Sequence, residues 1–147
     1  TVNGLQAFGV NWLNVGYFSN GVDRLNSFQL ILTNRADISA GDFDIQFNYD
    51  KITWELGSAS NNVSAAVGYT DGAANDFEFA GSRVNGALLD SNVGGGLIHG
   101  SRNSNVLGQY NFSVRNGTIA PVSAPGTLAV LGLGLAGLVL SRRRQAK

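Results

Sequence analysis

His99 is the single histidine of this 147-residue chain, so Ser/His/Asp catalysis would have to be built around it. Ser101 lies two residues on, but no nucleophile-elbow pattern frames it and the two residues read as loop neighbours. Asp37, Asp42 and Asp44 carry the oxygen donors that calcium prefers. Their spacing fits no calcium loop, and Asp44 alternates with Phe43 and Ile45, so a solvated strand face is the preferred reading. Asp71, Asp76 and Glu78 read the same way. Gly94-Gly95-Gly96 lacks the Lys-Ser/Thr that completes a phosphate loop, and Gly132-Leu-Gly134-Leu-Ala-Gly137 matches a dinucleotide fingerprint with no strand before it and no acidic residue after it. Three Asn-x-Ser/Thr triplets, at Asn62, Asn111 and Asn116, are of a kind that recurs by chance. Cysteine is absent, which removes disulfides and thiolate metal sites. Trp12 and Trp54 have the ring chemistry for sugar stacking. Their neighbours Val10, Leu13, Ile52 and Leu56 favour a place in the core instead. No catalytic residue, cofactor or metal ligand is assigned.

The segment with the sharpest signal is the C-terminus. Pro125-Gly126 breaks the chain, an uncharged Leu-rich run follows from Thr127 to Leu140, and Arg142, Arg143 and Arg144 close it. Bilayer hydrocarbon forces such a run to be helical, because every amide must be satisfied within the segment. The arginines act as a membrane-orienting cluster that prefers the cytoplasmic side and leaves the rest of the chain outside. The apolar run is short of the roughly 20 residues of a full span. Its leucines and valines nevertheless point all round the helix, leaving no polar face with which to pack as an amphipathic helix on the domain.

The elements before the tail are strands. Phe43, Ile45, Phe47 and Tyr49 alternate with Asp44, Gln46 and Asn48, and Phe28, Leu30 and Leu32 alternate with Gln29, Ile31 and Thr33, where apolar Ile31 implies burial on both faces. Further strands are expected over 9–13, 52–56, 63–69, 76–79 and 109–115, and a short helix over 35–40. Asn20-Gly21, Asp71-Gly72, Asn85-Gly86 and Asn116-Gly117 mark turns between them. Stretches 57–62 and 92–105 read as loops. The fold class is therefore mainly β, an antiparallel, sandwich-like domain over 1–118, a linker with a sorting motif over 119–126, and a single transmembrane-type helix over 127–147.

Without the four cations after Leu140, six Lys/Arg face ten Asp/Glu, so the body is acidic and offers no footprint for nucleic acid. The chain starts at Thr1 and holds no methionine. The expectation is that a preceding segment was removed, a secretory signal peptide being the natural candidate.

Pro125-Gly-Thr-Leu-Ala, the Gly/Leu-rich run and Ser141-Arg-Arg-Arg144 resemble the PEP-CTERM sorting tail of Gram-negative bacteria. The resemblance implies an exosortase, a membrane enzyme that processes such proteins for the cell surface or extracellular polymer. The sorting motif then falls on Ser123, Ala124, Pro125 and Gly126. It departs from the family's Val-Pro-Glu-Pro, since Val122-Ser123-Ala124-Pro125 keeps only the second proline. The body resembles the nidogen-like extracellular domain over about residues 8–115. The residues are Val10-Asn-Trp12-Leu-Asn-Val-Gly16-Tyr17, Asn26-Ser-Phe28-Gln29, Phe43-Asp-Ile-Gln-Phe47-Asn-Tyr49, Ile52-Thr-Trp54-Glu55, Gly68-Tyr69 and Leu89-Asp-Ser-Asn92-Val-Gly94. That resemblance implies a non-enzymatic domain of matrix and adhesion proteins.

The expected protein is exported to the cell surface, outer envelope or extracellular matrix, tethered to the membrane by its C-terminal helix, and engaged with an extracellular protein or exopolysaccharide. A self-assembling, homo-oligomeric subunit of a surface fibre or layer is the first alternative, suited by low charge and many strand edges. A surface-polymer hydrolase around His99 is the second.

Overall fold

The computed structural model describes residues 1–119 apart from position 74. The helix expected over 127–147, the motif Ser123–Gly126 and the cluster Arg142, Arg143 and Arg144 lie outside the described residues. Among the described residues no helix is long and apolar enough to cross a membrane.

Five antiparallel strands form one sheet in the order β1 (Ala7–Tyr17), β2 (Gly21–Asn34), β3 (Phe43–Lys51), β6 (Gln109–Arg115) and β7 (Thr118–Ile119). A separate ribbon pairs β4 (Gly68–Thr70) with β5 (Asp76–Glu78). Period-two patterning holds in each long strand, and it decides which face is dry. Trp12, Phe28 and Tyr49 align across three strands, as do Val10, Leu30 and Phe47, the latter row reaching Tyr110 in β6. Onto this apolar face fold residues 52–99, which contribute Phe79, Leu88 and Leu97 to a core shared with Ile45, Ile52, Tyr110, Phe112 and Val114. Phe112 is 2% exposed, and its ring meets those of Tyr69 and Phe77 at 5.1 Å each and Phe47 at 6.1 Å. The guanidinium of Arg102 lies over Phe77 and Phe112, 4.9 and 5.2 Å from their centres.

Turn chemistry follows the sequence. Asn116 and Gly117 both adopt positive φ, 50° and 74°, which is what a two-residue hairpin between β6 and β7 requires. Gly108, with φ 77°, lets the chain close on β3, where Tyr49 N donates to Gly108 O at 2.8 Å; a Cβ there would run into the Tyr49 carbonyl.

Several expectations are corrected. Residues 35–40 form turns, not a helix, because Asn34 and Phe43 are already paired across adjacent strands. Six helical residues would carry the chain about 9 Å away from that return. Residues 52–56 are no strand: they leave the sheet to begin the second layer, and side chains take over their backbone groups. Of 63–69, only Gly68 and Tyr69 enter a strand. The second layer is thus irregular chain with one ribbon rather than a second full sheet. Within 92–105, Leu97–His99 make a 3-10 turn whose Leu97 is 2% exposed, so this stretch is partly core. Ile31 is half-buried on the polar face, between Gly9 and Gln46, rather than sealed on both sides.

Candidate functional site

Beneath the β1–β2 arm, the second layer leaves an apolar cleft of about 330 Å³. Both tryptophans line it, with Phe28, Tyr49, Ile52 and Val67. Neither is fully buried. Trp12 stacks on Phe28 with ring centres 5.0 Å apart and planes at 20°. Trp54 meets Tyr17 edge-on at 6.0 Å, and its Nε1 donates to the Val15 carbonyl at 2.9 Å. The rings expected either in the core or as sugar platforms therefore share one cleft wall, each braced by a neighbouring ring. Burial, with Tyr110 close by, pushes the Tyr49 hydroxyl above the usual tyrosine range and keeps it neutral.

The cleft rim is built by two buried polar side chains. Asn26 Nδ2 donates to Trp54 O at 2.8 Å, and its Oδ1 accepts from Thr53 N at 2.7 Å and Trp54 N at 3.1 Å. Glu55 accepts from Leu88 N at 2.6 Å, Gly86 N at 2.7 Å and the Ser64 hydroxyl at 3.2 Å. One carboxylate thus ties its own segment to two others of the covering layer, around Ser64 and over Gly86–Leu88.

The opposite face of the sheet is polar and uncharged at its centre. Asn11, Gln29, Asn48 and Gln109 stand in register across β1, β2, β3 and β6. Gln109 Nε2 donates to Asn48 Oδ1 at 3.2 Å, Asn48 Nδ2 to Gln29 Oε1 at 2.6 Å, and Gln29 Nε2 to Asn11 Oδ1 at 2.6 Å. All three bonds run in one direction, so each amide polarises the next and their planes are held in place. The adjoining row brings Gln46, whose Nε2 donates to Asn48 Oδ1 at 2.9 Å, and Asn111. An amide has two N–H donors and an oxygen with two lone pairs, so every member keeps bonding capacity for a ligand.

Charges gather at one end of this face. Asp44 bridges Arg35 at 2.8 Å and Arg115 at 2.6 Å, and Arg35 also holds Asp37 at 3.0 Å. Burial works against the Asp44 carboxylate, but the two guanidinium groups outweigh it and hold the carboxyl below the ordinary aspartate range. Asp42, 3% exposed, accepts from Asn116 N at 2.9 Å. Instead of a solvated strand face, Asp44 and Asp42 are ion-paired, tying Arg35 just beyond β2 and Arg115 of β6 to the start of β3, while Asp37 stays exposed in the loop. Asp71 accepts from Ala73 N and Asn75 N in its turn, and Glu78 pairs with Arg83 at 2.9 Å.

His99 Nε2 donates to the Asp90 carbonyl at 2.7 Å, and the Ser101 hydroxyl donates to Ser104 O at 3.0 Å. The two side chains are committed to different backbone partners and do not bond each other. Sequence reasoning placed Gln29, Gln46 and Asn48 at polar strand positions but missed the row they form, because cross-strand register is not written in any one strand.

Residues 1–116 match the family described as the nidogen-like domain, and residues 121–144 match the PEP-CTERM protein-sorting motif. Both resemblances drawn from the residues are therefore borne out, and the sorting motif marks an exported, envelope-associated protein. No curated protein and no solved structure matches the chain.

Proposed function

The chain belongs to the nidogen-like domain family, and from that membership and its sorting motif we propose a non-enzymatic matrix protein. An exosortase-type enzyme processes its tail, and its amide face holds neutral polysaccharide at the cell surface. The observation that carries this reading is the Asn11, Gln29, Asn48 and Gln109 row. Vicinal sugar hydroxyls are each donor and acceptor, and a fixed amide offers the complementary pair side by side. Strands about 4.8 Å apart present such pairs at close to the repeat of an extended glycan. The absence of charge from this row suits an uncharged polymer, which would otherwise leave a buried charge unpaired on binding. Because the amides already hold one another, little side-chain ordering remains to be done on binding. A non-catalytic role is supported by His99 Nε2 and the Ser101 hydroxyl, which bond separate carbonyls of the chain and not each other.

Affinity electrophoresis of the full chain in non-ionic detergent tests it, with hydroxyethylcellulose or alginate cast in the gel. The expected result is retardation by the neutral polymer and not by alginate, weakened about thirtyfold in the Gln29→Leu, Asn48→Leu double variant, since each of the two lost hydrogen bonds costs about 1 kcal/mol. No retardation by the neutral polymer, or equal retardation of the double variant, would refute the reading.

A further inference from the structure

We propose that two copies of this chain join through β1, edge to edge and antiparallel, about a twofold axis passing through Val10. The sheet is open on this side: β1 is its outermost strand, and among the described residues nothing pairs with its outer edge. Natural edge strands are guarded by charge, proline or shortness. Ala7–Tyr17 is 11 residues long and contains no Lys, Arg, Asp, Glu or Pro. Phe8 is 63% exposed at the open edge although it stands on the apolar face with Leu32.

The occupant is a second copy because the edge is self-complementary. The regular part of β1 runs from Ala7 to Trp12; beyond it the register shifts, Asn14 turns to φ 52° and the Val15 carbonyl is taken by Trp54. Around Val10 the sequence Phe8-Gly-Val-Asn-Trp12 is near-palindromic in size: aromatic, small or polar, valine, small or polar, aromatic. A copy related by the twofold sets Phe8 of each chain against Trp12 of the other and Val10 against Val10, the aromatic and β-branched pairings that stabilise antiparallel strands. On the other face Asn11 lies over Gly9 of the copy, where no Cβ obstructs it. Only a register with an even offset keeps both polar faces on one side; centring on Gly9 or on Val10 overlaps the regular segment equally, and only the Val10-centred one sets aromatic against aromatic. The contact is isologous and closes on itself, giving a dimer with a continuous sheet and not a fibre. This inference does not depend on the polysaccharide reading.

The chain has no cysteine, so a single introduced thiol reports the register. In the full chain in non-ionic detergent, Val10→Cys should oxidise readily to a disulfide dimer, because opposed Cα atoms lie about 4.5–5.5 Å apart, inside the disulfide range. Leu13→Cys should not, although Leu13 is 73% exposed, since in this register the two thiols sit roughly 20 Å apart. Sedimentation velocity of the cysteine-free chain gives the second readout: a dimer for the unmodified protein and a monomer for Phe8→Lys, a change at an exposed position that leaves the core intact. A monomeric unmodified protein, a dimeric Phe8→Lys, or cross-linking of Leu13→Cys as fast as Val10→Cys would each overturn the proposal.

Discussion

Asn26 takes the place of a strand beside Trp54: its Nδ2 donates to the Trp54 carbonyl at 2.8 Å while its Oδ1 accepts from the Trp54 amide at 3.1 Å. One buried side chain thereby supplies the donor and the acceptor that a neighbouring backbone would supply in a ladder. It does so where the chain leaves the sheet to form its second layer.

Asn26→Leu should consequently be strongly destabilising. The substitution fills the volume but orphans the Thr53 and Trp54 amides and the Trp54 carbonyl, at about 1–3 kcal/mol for each buried group left unmade. Urea denaturation should show a total loss of about 3 kcal/mol or more, placing this change among the severe ones. A loss below about 0.5 kcal/mol would mean that water replaces the amide without cost.

Glu55 holds the covering layer in the same way. Glu55→Gln keeps one oxygen acceptor and turns the other into a donor facing the amides of Gly86 or Leu88. The expected outcome is a loss of about 2 kcal/mol together with faster hydrogen exchange at Gly86 and Leu88. Exchange unchanged at both amides would contradict the assignment.

Stability should fall in acid partly through Asp44. Its carboxyl lies below the ordinary aspartate range in the folded state because Arg35 and Arg115 outweigh its burial. A depressed folded-state value contributes stability that is present above the unfolded value, about pH 4, and is lost as pH falls through the folded value. Asp44→Asn should be less stable than the native protein at pH 7, and the gap should narrow steadily below about pH 4. A gap independent of pH would show that Asp44 acts by packing alone.

Phe112 is the pivot of the aromatic core, 2% exposed and in ring contact with Phe47, Tyr69, Phe77 and Phe79. Phe112→Ala should cost about 3–5 kcal/mol, measured by thermal unfolding, and Phe112→Leu distinctly less because most of the volume remains.

The strands were legible where one chain segment carries the whole signal. In β3 and β6 the alternation of Phe43, Ile45, Phe47 and Tyr49, and of Tyr110, Phe112 and Val114, named the buried face directly, and Asn116-Gly117 named its turn. What escaped depends on two segments at once. Ile52 and Trp54 alternate with Thr53 as a strand would, yet Asn26, 28 residues earlier than Trp54, satisfies the Thr53 and Trp54 backbone from its side chain, and Asp90 takes the backbone of Ile52. Gln29 and Asn48 read as ordinary polar strand positions until register places them beside Asn11 and Gln109. Trp12 and Trp54 read as core rings or, less favoured, as sugar platforms, but their sharing of one cleft follows from the fold of the covering layer, which no local pattern encodes.

The most direct test is the intact mass of the protein recovered from its native host, taken separately from the membrane and from the washed extracellular polymer. The account predicts a polymer-bound species that ends near Pro125 and lacks Arg142, Arg143 and Arg144. Protein found only in the membrane, still carrying those arginines, would contradict it.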